Sequence, residues 1–330
     1  SHNSAHTERK YLSLPTATML PIPADRPVLV GGPPVMNMMA VAAGLFRAFR
    51  GSALAKRLFK NFPSGFIKCV IFDAEPVNSI TGEVVVQQHD FTIEGRLPLV
   101  WDRYYASHDE ILGHLGHGWR SPADIRVDLL RDEGHGGHET VQYSAAVTFA
   151  DHTTAFDQMP HESGWPARTV DRQHGHALYI EHDELRIRMR AGLEYAFPLP
   201  DDWRARVPAV DQGQTLGLPL SRMADLNGNA WHIERRTDAI HGGVSMRFIE
   251  FAGSRATGRE LRAASGRVAG CLGALALHDA QGGVHPLVTY QQDALGNLSA
   301  VLDAHDAPYC FEYAQHQMVR HTDRNGLSFY

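Results

Sequence analysis

Asp293-Ala-Leu-Gly-Asn-Leu-Ser-Ala-Val-Leu-Asp303 reads as a tight Asp/Gly/Asn turn that runs straight into a strand. About twenty residues later His316-Gln-Met-Val-Arg-His-Thr-Asp323 repeats the pattern, with Met318 matching Leu298 and Asp323 matching Asp303. Between them, Tyr309-Cys-Phe-Glu-Tyr313 corresponds to Gly326-Leu-Ser-Phe-Tyr330. A degenerate earlier copy is Asp225-Leu-Asn-Gly-Asn229 followed by Trp231-His-Ile-Glu-Arg-Arg-Thr-Asp238. Gly and Asn supply the positive φ that tight hairpin turns need. Such a hairpin cannot bury its apolar face alone, so the copies must stack into an extended antiparallel sheet. Open edges and bare inner faces predict that this piece associates or needs more of its chain. The stop at Tyr330, inside a repeat strand, reads as a section of a longer array.

Working back from the repeats, residues 66–200 are also β in character. Leu185-Arg-Ile-Arg-Met-Arg190 alternates cleanly and Leu193-Glu-Tyr-Ala-Phe197 nearly so, which buries one face and leaves Arg186, Arg188 and Arg190 on the wet one. Val141, Tyr143, Val147 and Phe149 are similarly spaced, and turn signals recur at Asp132-Glu-Gly134, Asp151-His152 and Asp183-Glu184. Residues 1–34 are proline-rich and predict an extended leader. Residues 35–65 predict a basic amphipathic helix, with Met38, Ala42, Leu45, Phe46 and Phe49 on its apolar stripe and Arg47, Arg50, Lys56, Arg57 and Lys60 around it. Membrane contact is expected, if anywhere, through 36–62. A span is disfavoured, because Gly31, Gly32, Pro33 and Pro34 interrupt the uncharged run from Val28 to Phe46.

Composition narrows the function classes. The 330 residues carry a net charge of −6, which argues against a dedicated nucleic-acid binder. Cys69, Cys271 and Cys310 are few, distant and odd in number, so they form no disulfide framework and fit folding in a reducing compartment. The polar start SHNSAHTERKYLSLP lacks the apolar core of a secretory signal.

One further stretch is distinctive. Glu75-Pro-Val-Asn-Ser-Ile-Thr-Gly-Glu83 leads to Asp90-Phe-Thr-Ile-Glu-Gly-Arg-Leu-Pro-Leu-Val-Trp-Asp-Arg-Tyr-Tyr-Ala-Ser107, then Leu112-Gly-His-Leu-Gly-His-Gly-Trp119. Pro98 marks a strand start or an edge, since proline cannot donate to a ladder. Trp101, Tyr104 and Tyr105 bury large surfaces but need partners for their polar tips. Gly113, Gly116 and Gly118 let the backbone turn sharply before Trp119. None of this is a reacting constellation.

The same stretch resembles the opening signature of the Rhs family of YD-repeat polymorphic toxins, "DPV-x-x-x-TG" and "DF-x-x-x-G-x-LPL-x-W-x-R-x-Y-x-S … LG-x-GW". The positions that carry the likeness are Pro76, Thr81, Gly82, Asp90, Phe91, Gly95, Leu97, Pro98, Leu99, Trp101, Arg103, Tyr105, Leu115, Gly116, Gly118 and Trp119. Departures are Glu75 in place of Asp and an extra His-Leu-Gly inside the Leu-Gly…Gly-Trp element. The later hairpins resemble the family's YD repeats, and Pro27-Val-Leu-Val-Gly-Gly-Pro-Pro-Val-Met36 resembles the leader of its type VI secretion members. The resemblance implies a mainly β fold, an antiparallel hairpin-repeat sheet forming part of a hollow cocoon. Residues 66–200 are then the signature β domain and 201–330 the hairpin repeats. It implies encapsulation of a C-terminal toxin of the same polypeptide, a VgrG spike and PAAR region as mounting partners, and an immunity protein. The protein is then held in the bacterial cytoplasm before export through a type VI system into a target cell. A carbohydrate- or cell-surface-binding β module is the alternative, since YD repeats also occur in adhesion proteins.

Enzyme chemistry is not expected, and neither a cofactor nor a metal is assigned. His114-x-x-His117 and His135-x-x-His138 supply two ligands each where zinc needs three or four. Asp132-Glu133 and Asp201-Asp202 are adjacent residues, which on a strand face opposite ways. No Gly-x-Ser-x-Gly or P-loop is present. The one reaction the resemblance leaves open is self-cleavage in the leader at Arg26–Pro27, with His108, Asp109 and Glu110 as acid–base groups; ordinary loop residues account for these positions more simply.

Overall fold

The computed structural model describes residues 84–107, 109, 111–132, 141–171, 174–208 and 214–330. The leader, the 35–65 segment, Arg26, Pro27, Pro76, Thr81, Gly82, His108, Glu110 and the His135–His138 pair lie outside the described residues.

The described residues are antiparallel β almost throughout. The signature supplies β1 (Val85–Ile93), β2 (Leu99–Ala106), β3 (Leu112–Gly113), β4 (Gly116–His117) and β5 (Trp119–Arg120). After it come β6 (Arg126–Asp132), β7 (Gln142–Thr148), β8 (Thr153–Phe156) and β9 (Thr169–Val170). Strands β10 (Ala177–Glu181), β11 (Glu184–Arg188) and β12 (Glu194–Pro198) precede a short helix, α1 (Trp203–Arg206). Next are β13 (Leu216–Pro219), β14 (Arg222–Ala224), β15 (Asn229–Thr237), β16 (Val244–Ala252), β17 (Arg255–Ser265) and β18 (Leu272–His278). The last five are β19 (Val284–Gln292), β20 (Leu298–Asp303), β21 (Pro308–Ala314), β22 (Gln317–Thr322) and β23 (Ser328–Phe329).

Fourteen strands form one sheet in sequence order from β9 to β23, broken only by β13, which joins β6, β7 and β8 in a four-stranded sheet. This is a meander in which each strand pairs with its chain neighbour, as stacked hairpins require. It runs without interruption past residue 200, so the boundary expected there is a change of sequence pattern and not a sheet boundary.

One turn design recurs along the meander. Asp225, Asp279, Asp293, Asp303 and Asp323 each accept, through Oδ1, the backbone amides two and four residues later, at 2.7–3.0 Å. The carboxylate thereby satisfies donors that the sharp turn takes out of the ladder. The residue three places on is left-handed, with φ between 61° and 88°: Gly228, Gly282, Gly296, Asp306 and Gly326. Glycine holds that conformation at little cost, and Asp is among the few alternatives that tolerate it.

The strands between the turns alternate as expected. Leu185 and Ile187 are fully buried while Arg186 and Arg188 lie on the opposite face, and Arg190 is exposed. On that wet face the arginines meet carboxylates of other strands: Arg188 and Glu194 at 3.0 Å, Arg186 and Glu181, and, across the intervening β12, Arg222 and Glu184 at 2.9 Å. The other face carries Trp231, Phe248, Leu261, Leu275, Val288, Tyr290, Leu298, Val301, Phe311 and Met318, all buried. This face is not bare. The signature strands lie on it and share one apolar core with it, so the expected exposed inner face is corrected: burial against β1 and β2 covers it.

Candidate functional site: the seam between signature and repeats

The signature strands form a hairpin because Pro98 places the start of β2 and the β1–β2 register then pairs Ile93 with Leu99 through to Val85 with Ala106. A β-bulge between His89 and Phe91 puts Asp90 out of step with the ladder. Asp90 and Arg103 face each other, both 1% exposed, with Arg103 Nε donating to Oδ1 and Oδ2 at 3.0 and 3.1 Å. Tyr290 of β19 donates its hydroxyl to Asp90 Oδ2 at 2.5 Å. Burial, then the Asp90 carboxylate, drives the Tyr290 phenol well above its ordinary pKa, so it stays a donor.

An ion pair this deep survives only when its remaining groups are satisfied. Arg103 Nη1 has no hydrogen-bond partner among the described residues. Aromatic rings stand in: the guanidinium carbon is 4.8 Å from the Trp119 ring centre and 5.3 Å from that of Phe311. The negative faces of the rings attract the desolvated cation.

Around this centre the signature residues reach across to the repeats. Trp101 stacks on Phe91 at 5.7 Å and meets Phe248 edge-on at 5.4 Å. Trp119 donates Nε1–H to the Tyr313 hydroxyl at 2.8 Å, and Met318 N donates to the Tyr105 hydroxyl at 2.8 Å. Leu97 O accepts from Trp231 Nε1 at 2.9 Å, and Leu99 is buried beside it. Gly95 leaves space filled by Glu250: a Cβ there stands 2.7 Å from its Oε1.

The stretch His114–His117 proves to be a docking element. His114 O accepts from Leu272 N at 2.7 Å, Leu115 is fully buried, and His117 N donates to Gly296 O at 3.1 Å. Gly116, at φ 136°, sits so close to the Asp293 turn that a Cβ meets Gly296 O and Leu298 N at 2.8 Å. Gly118, at φ 73°, lies against the Tyr105 ring.

The chemistry weighed from the sequence looks different once placed. Asp109 is an ion-pair partner of Arg120 at 2.5 Å. His114 Nδ1 lies 2.7 Å from Asp124, whereas His117 stacks on His316 at 3.9 Å, so this pair does not converge on one point. Asp201 and Asp202 are exposed in the turn before α1. What sequence reading missed is the repeat side of the seam: Tyr290, Phe311 and Tyr313 look like ordinary strand aromatics, and only the register assigns them partners about two hundred residues away.

Comparison with known proteins gives a partial match. A family model described as "Domain of unknown function (DUF6531)" matches residues 74–148, the stretch that contains the signature. No curated protein matches. Among solved structures the chain is similar to one described as "Crystal Structure of TcdB2-TccC3-Cdc42", with a TM-score of 0.38 and 8% identity. That similarity covers 70% of this chain and only 16% of the other.

Proposed function

We propose that this chain is wall material: a structural encapsulation segment of an Rhs-type secreted interbacterial toxin, enclosing a C-terminal toxic domain of the same polypeptide. The observation that carries this reading is the nearest-neighbour meander of Asp-turned hairpins with its apolar face sealed by the signature sheet. A wall acts by exclusion. It needs rigid, self-paired strands and a repeatable turn, and it needs no reacting groups. The meander has both, and its edge strand β23 leaves a row of backbone groups unpaired, the feature by which hairpin arrays add strands.

On this proposal the partners are the rest of the shell, the enclosed toxin, the VgrG spike and PAAR region, and an immunity protein. The protein is made in the bacterial cytoplasm and leaves through a type VI system into the target cell. Limited proteolysis of the parent polypeptide tests the enclosure. Its C-terminal region is expected to resist cleavage in the intact protein and to become cleavable when Arg103→Ala opens the seam. Equal cleavage in both, together with saturable binding of the chain on a glycan array, would instead support a surface-binding module.

A further inference from the structure

His152 meets the closely spaced His174 and His176 where two sheets adjoin. His152 lies in the turn between β7 and β8 of the four-stranded sheet; His174 and His176 lie in the loop that enters β10 of the large sheet. Their nitrogens that can hold a metal all fall within 4.8 Å of one another, and His152 Nε2 stands 3.3 Å from His176 Nε2.

The groups behind the rings orient them. His152 Nδ1 is 2.7 Å from Asp151 Oδ1, and His174 Nδ1 is 3.0 Å from Asp171 Oδ2. A carboxylate at Nδ1 fixes the proton there and leaves Nε2 bare, as it does behind metal-bound imidazoles. Asp171 Oδ2 also accepts the His174 amide at 2.8 Å, so the loop itself holds this orientation. His176 is 8% exposed and its Nδ1 has no hydrogen-bond partner among the described residues. Phe149 stacks on His152 at 4.6 Å and meets His176 edge-on at 5.8 Å, walling one side. A hydrogen bond between His152 and His176 accounts for that pair alone. The third ring, with its own carboxylate behind it, stacks on His176 at 5.2 Å and lies 4.8 Å from the His152 ring, so all three imidazoles gather at one point.

We propose that His152, His174 and His176 bind one zinc-class divalent cation through their Nε2 atoms, tying the β7–β8 turn to the loop ahead of β10. Zinc–imidazole bonds of about 2.0–2.1 Å in a tetrahedral arrangement place ligand nitrogens about 3.3 Å apart, the spacing His152 and His176 already have. His174 needs only to close in from at most 4.8 Å. Three imidazoles leave a fourth position for water, and imidazole donors suit zinc, copper and nickel over magnesium or calcium. This site is independent of the shell reading: either stands if the other fails.

The test uses the 330-residue chain, made without a polyhistidine tag, stripped with a chelator and titrated with zinc chloride and then cobalt chloride. The expected results are one tightly held zinc per chain, a higher thermal midpoint with zinc, and a cobalt spectrum of four-coordinate intensity. His152→Ala and His174→Ala each lower the affinity at least tenfold, and Asp171→Ala lowers it by about tenfold through the lost orienting carboxylate. His241→Ala, on an exposed turn of the large sheet, leaves it unchanged. His174→Gln, at a partly exposed position, replaces the alanine variant should that fail to fold. Absence of tight zinc binding overturns the proposal, and so does binding that persists in the His152→Ala/His174→Gln double variant.

Discussion

Asp293 holds its turn through amides two and four residues away, whereas Asp90 meets its tyrosine two hundred residues further along the chain. Both are carboxylates in a β-sheet protein, yet they do opposite kinds of structural work. The turn aspartate satisfies local donors, recurs at five points of the meander, and leaves each hairpin complete apart from its apolar face. The signature aspartate occurs once, is buried with a cation, and joins β1 and β2 to β19. Damage to a turn should therefore stay within its hairpin, while damage to the seam should loosen the whole stack.

The largest effect is expected at the seam. Arg103→Ala leaves the Asp90 carboxylate buried with, among the described residues, Tyr290 alone to serve it, and breaking such a pair costs about 3–5 kcal/mol. Urea unfolding measures the loss. Replacing both members, as Asp90→Leu with Arg103→Met, should cost less than either single change, because no charge is stranded. If the single and double variants are equally damaged, volume and not charge governs the site.

Gly116→Ala comes next. It combines a φ of 136° with a Cβ 2.8 Å from two backbone atoms of the Asp293 turn. About 1–3 kcal/mol is expected from the strain, with the cost felt in both regions because this glycine is where they touch. Asp293→Ala removes three accepted hydrogen bonds and is expected to cost about 1–2 kcal/mol. Its damage should be largest in β19 and β20 and reach the signature only through Gly116 and His117, which amide exchange resolves strand by strand.

The smallest effect is the share of the pH dependence that the turns contribute. Asp303 lies below the ordinary carboxylate range because it accepts the Ala307 and His305 amides; Asp279 does so through His285 and then the Gly283 amide. At Asp293 burial pushes the other way, but Asn297 and the turn amides outweigh it. With folded pKa values below the unfolded value of about 3.9, these groups stabilise the fold above that pH. Their contribution is lost as pH falls through the folded values. The thermal midpoint should therefore drop below about pH 4, and drop less steeply in Asp293→Asn/Asp303→Asn, where the amide oxygen keeps the hydrogen bonds without titrating.

The two regions also differ in how far they could be read from sequence. The turns are legible because their code is local: Asp, then Gly or its substitute three places on, is visible without knowing any partner. Strand alternation around Leu185–Arg188 is legible for the same reason. The seam is not, because Asp90, Arg103 and Trp119 show only that they are special, and their partners follow from stacking order. Bulges add to this. The pairing shifts between Gln291 and Gln292 and again between Glu312 and Tyr313, so Leu298 and Val301 share a buried face although they are three residues apart. A strict period of two assigns them to opposite faces. The histidine cluster was hidden for a similar reason: His152 joins His174 and His176 only when two sheets meet, whereas the closely spaced His114 and His117 point elsewhere.

Hydrogen exchange of the intact chain and of Arg103→Ala, compared amide by amide, tests most directly whether signature and repeats are one cooperative body. The seam predicts that β19–β22 lose protection together with β1 and β2 in the variant. Loss confined to β1 and β2, with β19–β22 protected as in the unaltered protein, would contradict it.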